Sequence, residues 1–148
     1  MSQRPVLPYA LGIAGLVPFV FFGWQAVVKS DPEAAIVSSF YLAGYGAVIL
    51  SFLGGARWGA EIQRNPSNPD SMTLCLAMAP PLVGWAAIIP TMWDRWQVVL
   101  GLLSAGLALQ LIWDVVAVRR SEFPAWYLPL RILLTTIAVL SLMAAAFL

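Results

Sequence analysis

Hydrophobic residues fall into five long runs along the chain, at residues 7–28, 35–60, 72–93, 97–118 and 127–148. Each run is long enough to cross the roughly 30 Å of hydrocarbon in a bilayer as a helix. The polar stretches "KSDPE", "RNPSNPDS" and "RRSEFPAW" separate most of them and are rich in turn-forming residues. Because exposed backbone groups find no water in lipid, the runs must be helical. The sequence therefore predicts an all-α bundle of five transmembrane helices, in a single domain over residues 1–148.

Lysine and arginine are divided unevenly between the two ends of these helices. One end carries Arg4, Arg57, Arg64, Arg119, Arg120 and Arg131, whereas the other carries Lys29 and Arg95. Positively charged residues collect on the inner side of a membrane. We therefore expect the N-terminus inside and the C-terminus outside.

The first run begins like a signal peptide, because Arg4 precedes an apolar stretch that starts at Val6. Pro18 interrupts this stretch, however, and no small-x-small cleavage site follows it. We therefore expect an uncleaved first span.

Composition supports the membrane interpretation and argues against several chemistries. The 148 residues are 61% hydrophobic and 10% charged, whereas about 25% of residues are charged in soluble domains. The chain has no histidine and a single cysteine, Cys75, so it offers no imidazole to haem, zinc or copper. A net charge of +1 without a basic stripe gives no reason to expect a nucleic-acid partner. We expect no metal and no other cofactor.

The second helix has a small residue at every fourth position: Ala35, Ser39, Ala43, Ala47, Ser51, Gly55 and Gly59. Small residues let membrane helices approach closely, and Gly55 with Gly59 forms a GxxxG pair. Ser51, Gly55 and Gly59 are therefore predicted to make a helix-packing contact. This ridge could pack inside the monomer or form a homodimer, and the pattern leaves both open.

Charged residues of three helices are predicted to meet near the inner membrane face. At about 100° per residue, Arg57 and Glu61 lie on one face of the second helix. The fourth helix places an amide and a carboxylate on one face, and the fifth has an arginine one turn from its start. The predicted cluster contains Arg57, Glu61, Gln110, Asp114 and Arg131. Ionisable residues inside a membrane are costly, so a functional site is the default hypothesis.

Two roles fit this cluster. It could be a structural knot of ion pairs, or it could leave an arginine free for an anionic headgroup, a carboxylate or a phosphate. Arg131 could also extend to lipid phosphates at the interface. In the third helix, Pro80 and Pro81 are predicted to break the helix, either as a plain kink or as the lining of a cavity.

The sequence favours binding over catalysis. A Ser-His-Asp set is impossible without histidine, and neither Ser51 nor Cys75 has a recognisable base beside it. The favoured function is a non-enzymatic accessory protein that binds a lipid, an amphiphilic or anionic small molecule, or a partner membrane subunit near the cluster. The alternative is a small transporter or channel that uses Pro80, Pro81 and the charges at Arg57, Asp114 and Arg131.

The segments "YLAGYGAVILSFLGGARWGAE" and "PAWYLPLRILL" resemble the transmembrane-protein-69-like family of small membrane proteins. The most specific part is "SFLGG-x-x-WG", at Ser51 to Gly59. The resemblance covers essentially the whole chain and implies a multi-span protein of the bacterial cytoplasmic membrane, or of the inner mitochondrial membrane in a eukaryote. It implies no activity, and it assigns no role to Arg57 or Arg131.

Overall fold

Helices account for all regular secondary structure in residues 5–147, the part of the chain that the computed structural model describes. They are α1 (Val6–Ala14), α2 (Val17–Val28), α3 (Pro32–Arg64), α4 (Ser71–Ala77), α5 (Ala79–Ile88), α6 (Trp96–Arg119) and α7 (Tyr127–Phe147). A short 3-10 helix, Ile89–Trp93, follows α5. Arg4 and Leu148, which entered the predictions above, lie outside the described residues.

Five helical stretches are long and apolar enough to cross a membrane: Val6–Val28, Pro32–Arg64, Ser71–Trp93, Trp96–Arg119 and Tyr127–Phe147. They confirm the five predicted spans. The second span begins earlier than predicted, because Pro32 occupies its first position and the Asp31 carboxylate accepts a hydrogen bond from the Glu33 N–H at 3.2 Å. Both are strong signals for a helix start.

The long helix α3 lies at the centre of the bundle and packs against α2, α4, α5, α6 and α7. Large side chains that are completely or almost completely buried form the core around it, among them Phe19, Leu42, Leu50, Leu103 and Leu142. Large apolar side chains also cover the outer surface, as expected where a helix faces lipid. The central position of α3 brings its charged end against α6 and α7.

The third span is interrupted where the two prolines predicted it. α4 ends at Ala77 and α5 begins at Ala79, and only Met78 lies between them. Since Pro81 has no N–H, it cannot bond to the Ala77 carbonyl four residues earlier. That carbonyl lies against Gly54 of α3, so close that a Cβ on Gly54 would be 2.5 Å from its oxygen. On this side the break is therefore a close helix-helix contact.

Gly55 and Gly59 do not make the predicted contact within the chain. Both are exposed, and a Cβ on either would meet no atom of the described residues within 4 Å. The half-buried Ser51 donates a hydrogen bond to the Ala47 carbonyl of its own helix. Close packing occurs instead on the face that carries Gly54 and Ala47, which are seven residues apart and so share one side of the helix.

We expect Gly54→Ala to lower the free energy of unfolding by about 1–3 kcal/mol, because the new methyl group would collide with a backbone oxygen. The matched control is Gly55→Ala, which adds the same group where it meets open space. Its effect should stay within about 1 kcal/mol of wild type. Unfolding titrations in mixed micelles measure both changes, and equal effects would contradict the contact.

Candidate functional site

Asp114 joins two arginines from different helices in the interior of the bundle. Its Oδ1 accepts a hydrogen bond from Arg57 Nη2 of α3 at 2.9 Å, and its Oδ2 accepts one from Arg131 Nε of α7 at 2.6 Å. All three residues are at least 95% buried. Charged hydrogen bonds of this length are among the strongest in proteins. One carboxylate on α6 therefore connects three helices.

The ion pairs continue from Arg57 to the end of the bundle. Glu122 Oε2 lies 3.5 Å from Arg57 Nη1 and 3.5 Å from Arg64 Nη1. Arg64 Nη2 then donates to Glu61 Oε2 at 2.5 Å. We call this alternating series the ion-pair network; its members are, in order, Arg131, Asp114, Arg57, Glu122, Arg64 and Glu61.

Glu61 fastens the loop that leads into the third span. Its Oε1 accepts hydrogen bonds from the Asp70 N–H and from Asn65 Nδ2, each at 2.8 Å. Asp70 in turn caps α4, because its Oδ2 accepts from both the hydroxyl and the N–H of Thr73. These two bonds hold the pKa of Asp70 below its ordinary value. Glu61 therefore holds this loop to the end of α3, and within residues 5–147 its ion pairs connect it to Arg57 through Arg64 and Glu122.

Aromatic rings cover the guanidinium group of Arg57. Its Cζ lies 4.7 Å from the ring centroid of Trp113 and 4.8 Å from that of Phe123. Contacts of this kind stabilise a cation on an aromatic face. Although Nε of Arg57 has no hydrogen-bond partner in residues 5–147, the other nitrogens face Asp114 and Glu122. Most of the Arg57 guanidinium group is therefore occupied by contacts within the protein.

Arg131 has one carboxylate partner among the described residues, where Arg57 has two, and its buried Nη2 has no hydrogen-bond partner there. One turn later on α7, Thr135 Oγ1 is buried and equally lacks a partner in this part of the chain. Other hydroxyls in the bundle, such as those of Ser104 and Ser141, donate to the carbonyl four residues earlier. Two adjacent polar groups on α7 are thus left unsatisfied.

Both residues line a partly open cavity of about 330 Å³ between α1, α2, α3, α6 and α7. It extends from Pro8 and Trp126 at one end to Phe19 and Ala138. Leucine is the commonest residue in its wall, with six of the seventeen lining residues: Leu11, Leu16, Leu53, Leu107, Leu130 and Leu134. The cavity is therefore apolar, and Arg131 is the only charged residue among the described residues that line it.

Gln110 lies apart from the ion-pair network. It lines a second cavity, of about 280 Å³, together with Pro80, Leu76 and Trp113. Gln110 is one helical turn from Asp114, as the prediction required. Its side chain, however, lines the cavity beside the break in the third span. The two cavities have no lining residue in common.

Sequence reasoning missed Glu122, Arg64 and Thr135. Arg64 follows Glu61 by three residues, a spacing that favours an ion pair on a helix and could have indicated it. Glu122 lies in a loop, where no periodicity indicates direction. Within residues 5–147, no three cysteine, aspartate or glutamate side chains come together in a group that could hold a metal ion.

The fold and this site define a multi-span α-helical membrane protein with a buried ion-pair network beside an apolar cavity. A family model described as "Protein of unknown function (DUF3429)" matches residues 4–147, and the chain belongs to that family. Transmembrane protein 69 of Xenopus tropicalis is 38% identical over 98% of the chain, and that of Mus musculus is 33% identical over 95%.

These matches confirm the resemblance to transmembrane-protein-69-like proteins. The chain spans about half of each of these relatives, 55% of the frog protein and 54% of the mouse protein. No solved structure matches the chain.

We expect Asp114→Asn to lower the free energy of unfolding by about 3–5 kcal/mol, because it leaves two buried arginines without their shared carboxylate. Adding Arg131→Gln removes one excess charge, so the double variant should be less destabilised than the sum of the single effects. The control is Glu33→Gln, at an exposed carboxylate in the first turn of α3. Unfolding titrations would contradict the role of Asp114 if Asp114→Asn and Glu33→Gln lowered the free energy of unfolding equally.

Proposed function

We propose that the protein is a membrane-embedded binding protein whose apolar cavity holds one amphiphilic molecule from the bilayer. The polar end of that molecule lies at Arg131 and Thr135, and its hydrocarbon part lies among the leucines. One observation carries the proposal: two buried polar groups without partners in the described residues line the same apolar cavity.

The energetic reason is the cost of a buried polar group without a hydrogen bond, about 1–3 kcal/mol each. A ligand that bonds to both groups removes this cost, whereas an empty or purely hydrocarbon-filled cavity does not. The volume of about 330 Å³ falls within the range of known ligand sites, roughly 300–1,000 Å³. The cavity also has the composition of such sites, with many apolar side chains and few polar ones.

The site offers hydrogen-bond donors rather than catalytic groups. Arginine stays protonated in proteins, so Arg131 cannot act as a general base. Thr135 Oγ1 has no hydrogen-bond partner among the described residues, so no base there is placed to take its proton. These features favour an accessory, non-enzymatic role in which the protein holds a ligand.

The transport hypothesis has less support. A path along the helix break would need the Ala77 carbonyl to line an open space, but that carbonyl is packed against Gly54. The cavity beside Pro80 is also separate in its lining from the cavity beside Arg131.

We further propose that the ion-pair network lies at the cytoplasmic side of a bacterial membrane, or at the matrix side in mitochondria. The excess of arginine at this end supports that orientation.

In a Cys75→Ser background, a cysteine introduced by Ser121→Cys should react with an impermeant maleimide only after the membrane is opened. Lys29→Cys, at the opposite end, is the control and should react in intact cells. If the cysteine at position 121 is labelled in intact cells and the cysteine at position 29 is not, the orientation is opposite to the proposed one.

Filling the cavity tests the binding function. Ala138→Phe places a ring in the cavity and should remove most of any lipid that native mass spectrometry detects on the purified protein. Ala105→Phe is the matched control, since Ala105 is exposed on α6 and does not line the cavity. Melting temperatures show whether both variants fold. If Ala138→Phe folds and retains as much lipid as the control, the proposed function is wrong.

A further inference from the structure

We infer that the ligand is uncharged and binds Arg131 and Thr135 through a carbonyl oxygen. This inference rests on the proposed function and specifies the chemistry of its ligand. It runs against the simpler expectation that a buried arginine beside an apolar cavity binds an anion. Charge balance and hydrogen-bonding capacity decide between the two.

The charge of Arg131 is already compensated. Asp114 is shared between Arg131 and Arg57, but Arg57 has Glu122 as a second partner. Beyond Glu122 the network ends in the pair of Arg64 with Glu61. The network thus contains three arginines and three carboxylates, and with all six ionised its net charge is zero.

An anionic ligand would therefore bring one uncompensated negative charge into the bundle. Arg131 is the only charged side chain among the described residues that line the cavity, and the nearest carboxylate, Asp114, would repel the anion. A buried charge without an opposite partner is strongly unfavourable, because it loses its hydration. A neutral ligand leaves the network balanced.

The two unsatisfied groups at the cavity, Arg131 Nη2 and the Thr135 hydroxyl, both need a hydrogen-bond acceptor. A guanidinium nitrogen can only donate hydrogen bonds, and the Thr135 hydroxyl has a hydrogen to donate. A carbonyl oxygen has two lone pairs and can accept from both groups at once. A ligand hydroxyl would add a hydrogen that itself needs an acceptor. Two chemical sources share the required carbonyl: the ester of a neutral glycerolipid and the ring carbonyl of a prenylated quinone.

The test compares ligands that have the same chain and different polar ends. The purified full chain is placed in nanodiscs of zwitterionic lipid at pH 8, where carboxylic acids are ionised, and bound ligand is measured by native mass spectrometry. Methyl dodecanoate, dodecanol and dodecanoate are added at equal mole fractions in the bilayer. The ester should bind at least about tenfold more tightly than the carboxylate, a difference of about 1.4 kcal/mol, and more tightly than the alcohol.

A pair of adjacent threonines tests the site itself. Thr135→Val keeps the shape of the side chain and removes the hydroxyl, so it should weaken binding of the ester about three- to tenfold. Thr136→Val makes the same change at an exposed position outside the cavity and should leave binding unchanged. Equal affinities in the two variants would exclude Thr135 from the site.

The outcomes separate this inference from the proposed function. Tighter binding of dodecanoate or dodecanol than of the ester would overturn the carbonyl assignment and leave a binding protein. If none of the three binds, and Ala138→Phe also changes nothing, the proposed function itself fails. Because the ligand series uses the wild-type chain, its result does not depend on whether a variant folds. Parallel measurements with dioctanoylglycerol and a short-chain prenylated benzoquinone show which carbonyl source is preferred.

Discussion

The burial of Asp114 between two arginines is the constraint on which the rest of the structure depends. Lipid offers no hydration to a guanidinium group, so Arg57 and Arg131 must both reach a carboxylate inside the protein. In the structure, α3, α6 and α7 are arranged so that both nitrogens lie within 2.9 Å of the same side chain. That arrangement sets the register of three helices. It also fixes Arg131 beside the space between α7 and the first two helices, where the cavity lies.

The two buried arginines have the same chemistry and different surroundings. Arg57 lies between the rings of Trp113 and Phe123 and faces two carboxylates, so little of it is available to a ligand. Arg131 has one carboxylate partner, and its buried Nη2 has no hydrogen-bond partner, in the described residues. Asp114 thus connects helices through its ion pair with Arg57, and through its ion pair with Arg131 it orients a hydrogen-bond donor, Nη2. Structural knot and binding site are therefore not exclusive alternatives.

The sequence was sufficient for the five spans, because hydrophobic length in a membrane leaves few other possibilities. Helical phase also indicated that Arg57, Asp114 and Arg131 meet, since inward-facing charges at one depth must pair. For Gly55 and Gly59 it left open a contact within the monomer or between two copies, because a regular ladder of small residues does not say on which side a neighbouring helix lies; the contact within the chain is absent among the described residues. Gly54 makes the contact there. The cavity and the contacts of Glu122 could not be predicted from the sequence, because both depend on how helices and loops distant in sequence pack together.

The order of these residues along the chain has a consequence for insertion into the membrane. Arg57 enters on the second span, whereas Asp114 and Arg131 belong to the fourth and fifth. During synthesis, Arg57 is therefore present before the carboxylate that neutralises it, and a nascent chain that ends before Asp114 holds an uncompensated cation at the membrane interface. Full compensation is reached only when the fifth span joins the bundle. The ion-pair network thus distinguishes the assembled bundle of five spans from every shorter intermediate.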